Sequence, residues 1–135
     1  LSHSHHPTSK IGILLVDDHA MVRQGLRSVL EHYDDVAVVG EASTGREAIE
    51  FVERLRPAVI VMDINMPETN GIDATVEIKA RHPDVAVIGL SVHNTAEARK
   101  AMLQAGATTL LSKESAVDEL YAAIRQALAD EGVPR

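Results

Sequence analysis

The chain has 135 residues, 45% hydrophobic and 24% charged, a length that fits one globular unit of roughly 100–200 residues. Cysteine is absent and aromatic residues make up 2% of the sequence, which excludes a disulfide-stapled secreted scaffold, a base-stacking surface and an aromatic ligand cage. A formal net charge of −7 opposes contact with a phosphate backbone, and no apolar run approaches the roughly 20 residues of a membrane-spanning helix.

Residues 1–9 carry His3, His5 and His6 but no apolar signal core, so they are read as a lead-in or tag remnant ahead of a folded unit over 10–130. Ile11 to Val16 is a short apolar run ending in Asp17-Asp18, and Val22, Leu26, Val29 and Leu30 then share one helical face. A second strand runs from Asp35 to Gly40 on Val36, Val38 and Val39. Ser43 or Thr44 starts the next helix, which turns Ala48, Ile49, Val52 and Leu55 inward and closes at Pro57. Ala58 to Met62 is a third strand, terminating at Asp63.

Beyond the loop 64–71 a helix runs to about Arg81, and His82-Pro83 stops it before a fourth strand, Val85 to Ser91. Ala98, Ala101, Met102 and Ala105 define a narrow helical face capped by Gly106. Thr108 to Leu111 is a fifth strand, and Val117, Leu120, Ile124, Ala127 and Leu128 line the inner face of a last helix. Strands that are apolar throughout belong to a parallel sheet covered on both faces, and strict strand–helix alternation makes it a doubly wound α/β sandwich.

In such sheets the ligand site lies at the carboxyl ends of the strands, which selects Asp17, Asp18, Asp63, Ser91 and Lys113. Two unit charges about 5 Å apart repel by roughly 3 kcal/mol at an effective dielectric near 20, so three converging carboxylates need a cation. An oxygen-only donor set suits a hard divalent ion, Mg²⁺. With Asp63 as nucleophile the set would take up a phosphoryl group, Lys113 and Ser91 binding its remaining oxygens. Taken singly, Asp17 and Asp18 also read as helix caps, Lys113 as a solvated lysine and Ser91 as a turn residue; their shared place at strand ends favours the site.

Four motifs stand in order: Val16-Asp17-Asp18-His19, Val61-Met62-Asp63-Ile64-Asn65-Met66-Pro67 with Gly71 beyond, Leu90-Ser91-Val92, and Gly106-Ala107 followed by Lys113. On these the chain resembles the receiver domain of bacterial two-component response regulators, from about Lys10 to Asp130. The Asp-Asp-His opening and the Lys113-Glu114 junction are most similar to the LuxR/NarL-type subfamily, which carries a helix-turn-helix output domain. The resemblance implies a flavodoxin-like sheet of order 2-1-3-4-5 with five helices. It also implies that Asp63 accepts a phosphoryl group from a sensor histidine kinase, that Asp17, Asp18, Asp63 and the Asn65 main-chain carbonyl hold Mg²⁺, that Lys113 pairs with the phosphate, and that Ser91 is the switch hydroxyl.

Further implications are a cytoplasmic regulatory domain rather than an enzyme, a homodimer on activation, and DNA contact only through a C-terminal domain absent here, residues 131–135 being the start of a linker. Two positions depart from the pattern. Leu110 stands where the family usually has Tyr or Phe, which removes aromatic gating, and β-branched Val92 replaces a small residue and narrows the approach to Asp63. His93 reads as an exposed loop histidine. Two other readings stay open: a Mg²⁺-dependent hydrolase, disfavoured because Asp17-Asp18-His19 is not Asp-x-Asp and no insert encloses a substrate, and a phosphate-independent interaction module of the same fold.

Overall fold

A computed structural model describes residues 10–68 and 70–130; residues 1–9, expected to be a lead-in, and 131–135, expected to start a linker, lie outside the described residues. Strands β1 (Ile11–Val16), β2 (Val36–Ala42), β3 (Val59–Asp63), β4 (Ala86–Ser91) and β5 (Thr109–Ser112) alternate with helices α1 (Ala20–Leu30), α2 (Gly45–Leu55), α3 (Gly71–Arg81), α4 (Ala96–Ala105) and α5 (Ala116–Asp130). The strands form one sheet of order β2-β1-β3-β4-β5, and every neighbouring pair is parallel. This is the doubly wound arrangement expected from the alternation of elements, in the flavodoxin-like order that the resemblance implies.

The continuous apolar strands are explained by two cores. Ile13, Leu15, Val61 and Ile88 pack with Leu26 and Leu30 of α1 and Leu120 and Ile124 of α5. Their neighbours Leu14, Val16, Ile60 and Val87 point the other way, onto Val52 of α2, Ile78 of α3 and Met102 of α4. Alternate side chains therefore enter opposite cores, and no position of β3 or β4 is left for a polar residue except where the strands end.

Local chemistry sets the helix ends. Thr44 caps α2 by accepting from the Glu47 N–H, and Glu47 reaches back to the Ser43 N–H at 2.8 Å, a capping-box variant. Asn70 and Thr95 cap α3 and α4 in the same way, while Gly106, at φ 118°, supplies the left-handed turn that closes α4.

Several expectations are corrected. Arg56, in the left-handed conformation at φ 49°, ends α2 ahead of Pro57. β2 runs on to Ala42, and β5 begins and ends one residue later than expected. Val39 is exposed because β2 is an edge strand with less cover. Leu55 is exposed at the last turn of α2, and Val117 is 56% exposed because Ala116, Leu120 and Ile124 set the inner phase of α5 and leave it on the flank. Val29 and the alanines 98, 101 and 105 are half-buried.

Candidate functional site

β1 and β3 are neighbours with Val16 opposite Met62, so the residues that follow, Asp17 and Asp63, emerge side by side at the carboxyl edge of the sheet. Both are buried, Asp17 at 1% and Asp63 at 0% exposure. The Asp17 backbone is held by its N–H on the Ala42 carbonyl and by the Arg23 guanidinium on its own carbonyl. Arg23 is aimed in turn by Glu41 of β2, which also binds Arg27.

Lys113 follows β5, where its backbone N–H donates to the Ser91 carbonyl at 2.9 Å. From there its Nζ lies 2.9 Å from Asp17 Oδ2 and 3.2 Å from Asp63 Oδ2. Asn65 has an exposed side chain, but its backbone N–H donates to Asp63 Oδ1 at 2.9 Å and fixes the carboxylate plane. Ser91, 2% exposed, stands at the end of the adjacent strand and donates its hydroxyl to the His93 carbonyl at 2.6 Å. The structure thus joins Asp17, Asp63 and Lys113 directly and sets Ser91 beside them with its hydroxyl engaged elsewhere.

The sequence reading missed His19 as part of this cluster. Its Nδ1 lies 3.2 Å from Asp17 Oδ1 and 3.1 Å from Asp18 Oδ1, and its backbone N–H donates to Asp17 Oδ1 at 2.8 Å. Asp17, Asp18, His19 and Asp63 each present one ligand atom, all within 4.8 Å of one another. The only signal for this was the unbroken run Asp17-Asp18-His19.

Burial is the main influence pushing the Asp63 carboxyl above the usual carboxylate range, and the charge of Asp17 adds to it; the Asn65 N–H and Lys113 act in the opposite direction. Burial also pulls Lys113 down, but Asp17 and Asp63 outweigh it and hold the ammonium above the ordinary lysine value. The acids remain undercompensated. Asp17 Oδ2, Asp18 Oδ1 and Asp63 Oδ2 are buried without a well-formed hydrogen bond, although Lys113 and His19 nitrogens lie at ion-pair distance. Buried carboxylate oxygens with spare acceptor capacity fit a hard divalent cation such as Mg²⁺.

At the two departing positions, Leu110 is buried at 1% exposure and packs over Gly89, where an added Cβ would meet Leu110 Cδ1 at 2.7 Å. The Leu110 carbonyl accepts from Asn94 Nδ2 and Arg99 Nη1, both at 3.1 Å. Val92 is 59% exposed, with its side chain in solvent at the rim, and His93 is exposed.

The response regulator receiver domain family matches residues 13–125. The transcriptional regulatory protein DegU of Brevibacillus brevis is 39% identical over 117 residues, covering 87% of this chain and 50% of that protein. The response regulator UvrY of Escherichia coli strain K12 is 42% identical over 115 residues, covering 85% of this chain and 53% of that protein. The chain spans about half the length of the curated relatives it matches. Among solved structures, the signal receiver domain of NarL from Mycobacterium tuberculosis superposes with a TM-score of 0.84 at 28% identity, covering 90% of this chain and 98% of that one.

Proposed function

Because the chain belongs to the response regulator receiver domain family, within the circle of LuxR/NarL-type regulators, we propose that residues 10–130 act as its phosphoacceptor and that Asp63 takes the phosphoryl group from a histidine kinase. The observation that carries this reading is the pairing of a fully buried Asp63, one oxygen short of hydrogen bonds, with the Lys113 ammonium at 3.2 Å. A carboxylate oxygen of Asp63 attacks phosphorus as the donor's phosphorus–nitrogen bond breaks and the electron pair returns to the imidazole.

Each neighbour has a task in that transfer. The Asn65 N–H holds the Asp63 oxygen that does not attack. Lys113 offsets charge on the arriving phosphoryl oxygens, its ammonium placed by the backbone bond to Ser91. Asp17, Asp18, Asp63 and the Asn65 main-chain carbonyl would hold Mg²⁺, which when bound supplies positive charge beside the same oxygens. Ser91 then exchanges the His93 carbonyl for a phosphoryl oxygen. That exchange frees the segment leading into α4, whose Asn94 and Arg99 grip the Leu110 carbonyl, so the change reaches the α4–β5 surface without an aromatic side chain.

The output in this reading is a changed partner or homodimer surface and, through it, cytoplasmic control of transcription; the DegU relative is itself a transcriptional regulatory protein. Incubation with a small phosphodonor and Mg²⁺ tests it: intact mass rises by one phosphoryl group in the unaltered chain and not in Asp63→Asn. Equal labelling of Asp63→Asn would refute the assignment.

A further inference from the structure

His19 begins α1 as its N-cap, yet its side chain makes no capping bond. The ring turns back, and Nδ1 stands 3.2 Å and 3.1 Å from oxygens of two different carboxylates, Asp17 Oδ1 and Asp18 Oδ1. A nitrogen lone pair facing two carboxylate oxygens at that range is repulsive unless a hydrogen atom or a metal ion lies between them. Two donor atoms about 2.1 Å from a common ion and at right angles are about 3.0 Å apart, so the observed separations are those of neighbouring vertices around a small divalent cation. Asp18 Oδ1, one of the two oxygens facing the ring, is buried and lacks a well-formed hydrogen bond, whereas the imidazole is 63% exposed and open to an entering ion.

We propose that His19 is a further ligand of this site, and that its imidazole lets the acid cluster take a borderline divalent cation of the zinc and cobalt class in competition with Mg²⁺. The inference rests on the reading of Asp17, Asp18 and Asp63 as a cation site. Three carboxylates alone bind hard ions with little discrimination beyond charge and size; an imidazole adds affinity for the later transition ions and almost none for Mg²⁺. Lys113 lies against Asp17 Oδ2 and Asp63 Oδ2, whereas His19 Nδ1 lies against the other Asp17 oxygen, Oδ1, and Asp18 Oδ1.

The test is calorimetric titration with Co²⁺ and, separately, Mg²⁺, with His3, His5 and His6 changed to Asn in every arm so that they cannot bind the ion. His19→Asn is the informative variant, since Asn is a favourable N-cap and leaves α1 supported. It should weaken Co²⁺ binding about tenfold or more and change Mg²⁺ binding less than about twofold. In the unaltered His19 chain, saturation with Zn²⁺ should shift the ring ¹⁵N resonances to the pattern of an Nε2–H imidazole coordinated through Nδ1.

Co²⁺ affinity in His19→Asn within about twofold of the unaltered chain overturns the proposal. Equal weakening of both ions also overturns it, because His19 would then only position Asp17 and Asp18. Asp18→Asn separates the underlying reading: if it leaves Mg²⁺ and Co²⁺ binding unchanged, the acid cluster is not the cation site and both ideas fall. If it abolishes Mg²⁺ binding while His19→Asn spares Co²⁺, the cluster stands and the His19 ligand does not.

Discussion

Gly71 lies so close to the Asp63 main chain that a Cβ added to it would sit 2.2 Å from the Asp63 carbonyl oxygen and 2.8 Å from Ile64 Cα. The first turn of α3 is thus packed directly on the backbone that presents the candidate phosphoacceptor, with Thr75 returning a 2.7 Å hydrogen bond to the Gly71 carbonyl. The obstruction is backbone, so no rotamer change relieves it. Gly71→Ala should lower unfolding free energy by about 2 kcal/mol or more and slow labelling of Asp63, as read by urea denaturation and by intact mass after timed exposure to a phosphodonor.

Neutralising Asp63 should stabilise the metal-free chain. Its carboxyl is pushed up first by burial and then by Asp17, so the folded state binds its proton more tightly than the unfolded state does. The stability this contributes is fully present below the ordinary carboxylate pKa and is lost as pH rises through the raised folded value. Asp63→Asn should therefore exceed the unaltered chain at neutral pH by on the order of 1 kcal/mol, and the gap should close toward acid pH, measured by denaturation in chelator-containing buffers.

Magnesium should reverse that order. An ion bound only by the folded chain adds about 2.7 kcal/mol at one hundred times its dissociation constant. Thermal unfolding with Mg²⁺ and with chelator should differ accordingly in the unaltered chain. The difference should be largely lost in Asp18→Asn and Asp63→Asn.

Glu41 is held below the usual carboxylate range by its hydrogen bonds to Arg23 and Arg27. A lowered folded value means that its contribution is present above the ordinary glutamate pKa and disappears as pH falls through the lower one. The site is part-exposed, so the effect is discounted for solvent: Glu41→Gln should cost about 1 kcal/mol at pH 7 and much less at acid pH. It should also loosen Arg23 from the Asp17 carbonyl, which a fall in Mg²⁺ affinity would report.

Leu110 fills the space over Gly89 beside Met102, and it is buried. Leu110→Ala should destabilise the fold by about 2–4 kcal/mol through the cavity it leaves. Labelling of Asp63 should continue at low denaturant, since Leu110 sits within β5, three residues before Lys113, rather than among the acids. Loss of labelling in a chain that is still folded by circular dichroism would contradict this division.

The acids were legible because the strands are. Apolar runs that stop at Asp17 and Asp63 mark where the sheet ends, and a parallel sheet puts chemistry at those ends. Adjacency of β1 and β3 did not follow from periodicity; it came from the resemblance, and the sheet order bears it out. His19 was hidden because spacing gives no direction for a ring that folds back on its own N-terminal neighbours. Val39, Leu55 and Val117 were misjudged for a related reason. A hydrophobic phase locates a face only to within a flank, and it does not say which strand is an edge or which turn of a helix outruns its cover.

Tyr33, in the loop between α1 and β2, and Tyr121, in α5, stack with ring centroids 3.7 Å apart and planes 3° from parallel, and the Tyr121 hydroxyl donates to Asp35 at 2.6 Å. With no tryptophan and only these two tyrosines in the sequence, both phenol chromophores sit at a single point of the molecule. Near-ultraviolet dichroism and tyrosine emission are consequently a built-in gauge of the α1–α5 seam: they follow its opening without any attached dye, and stay silent about events on the opposite side of the sheet.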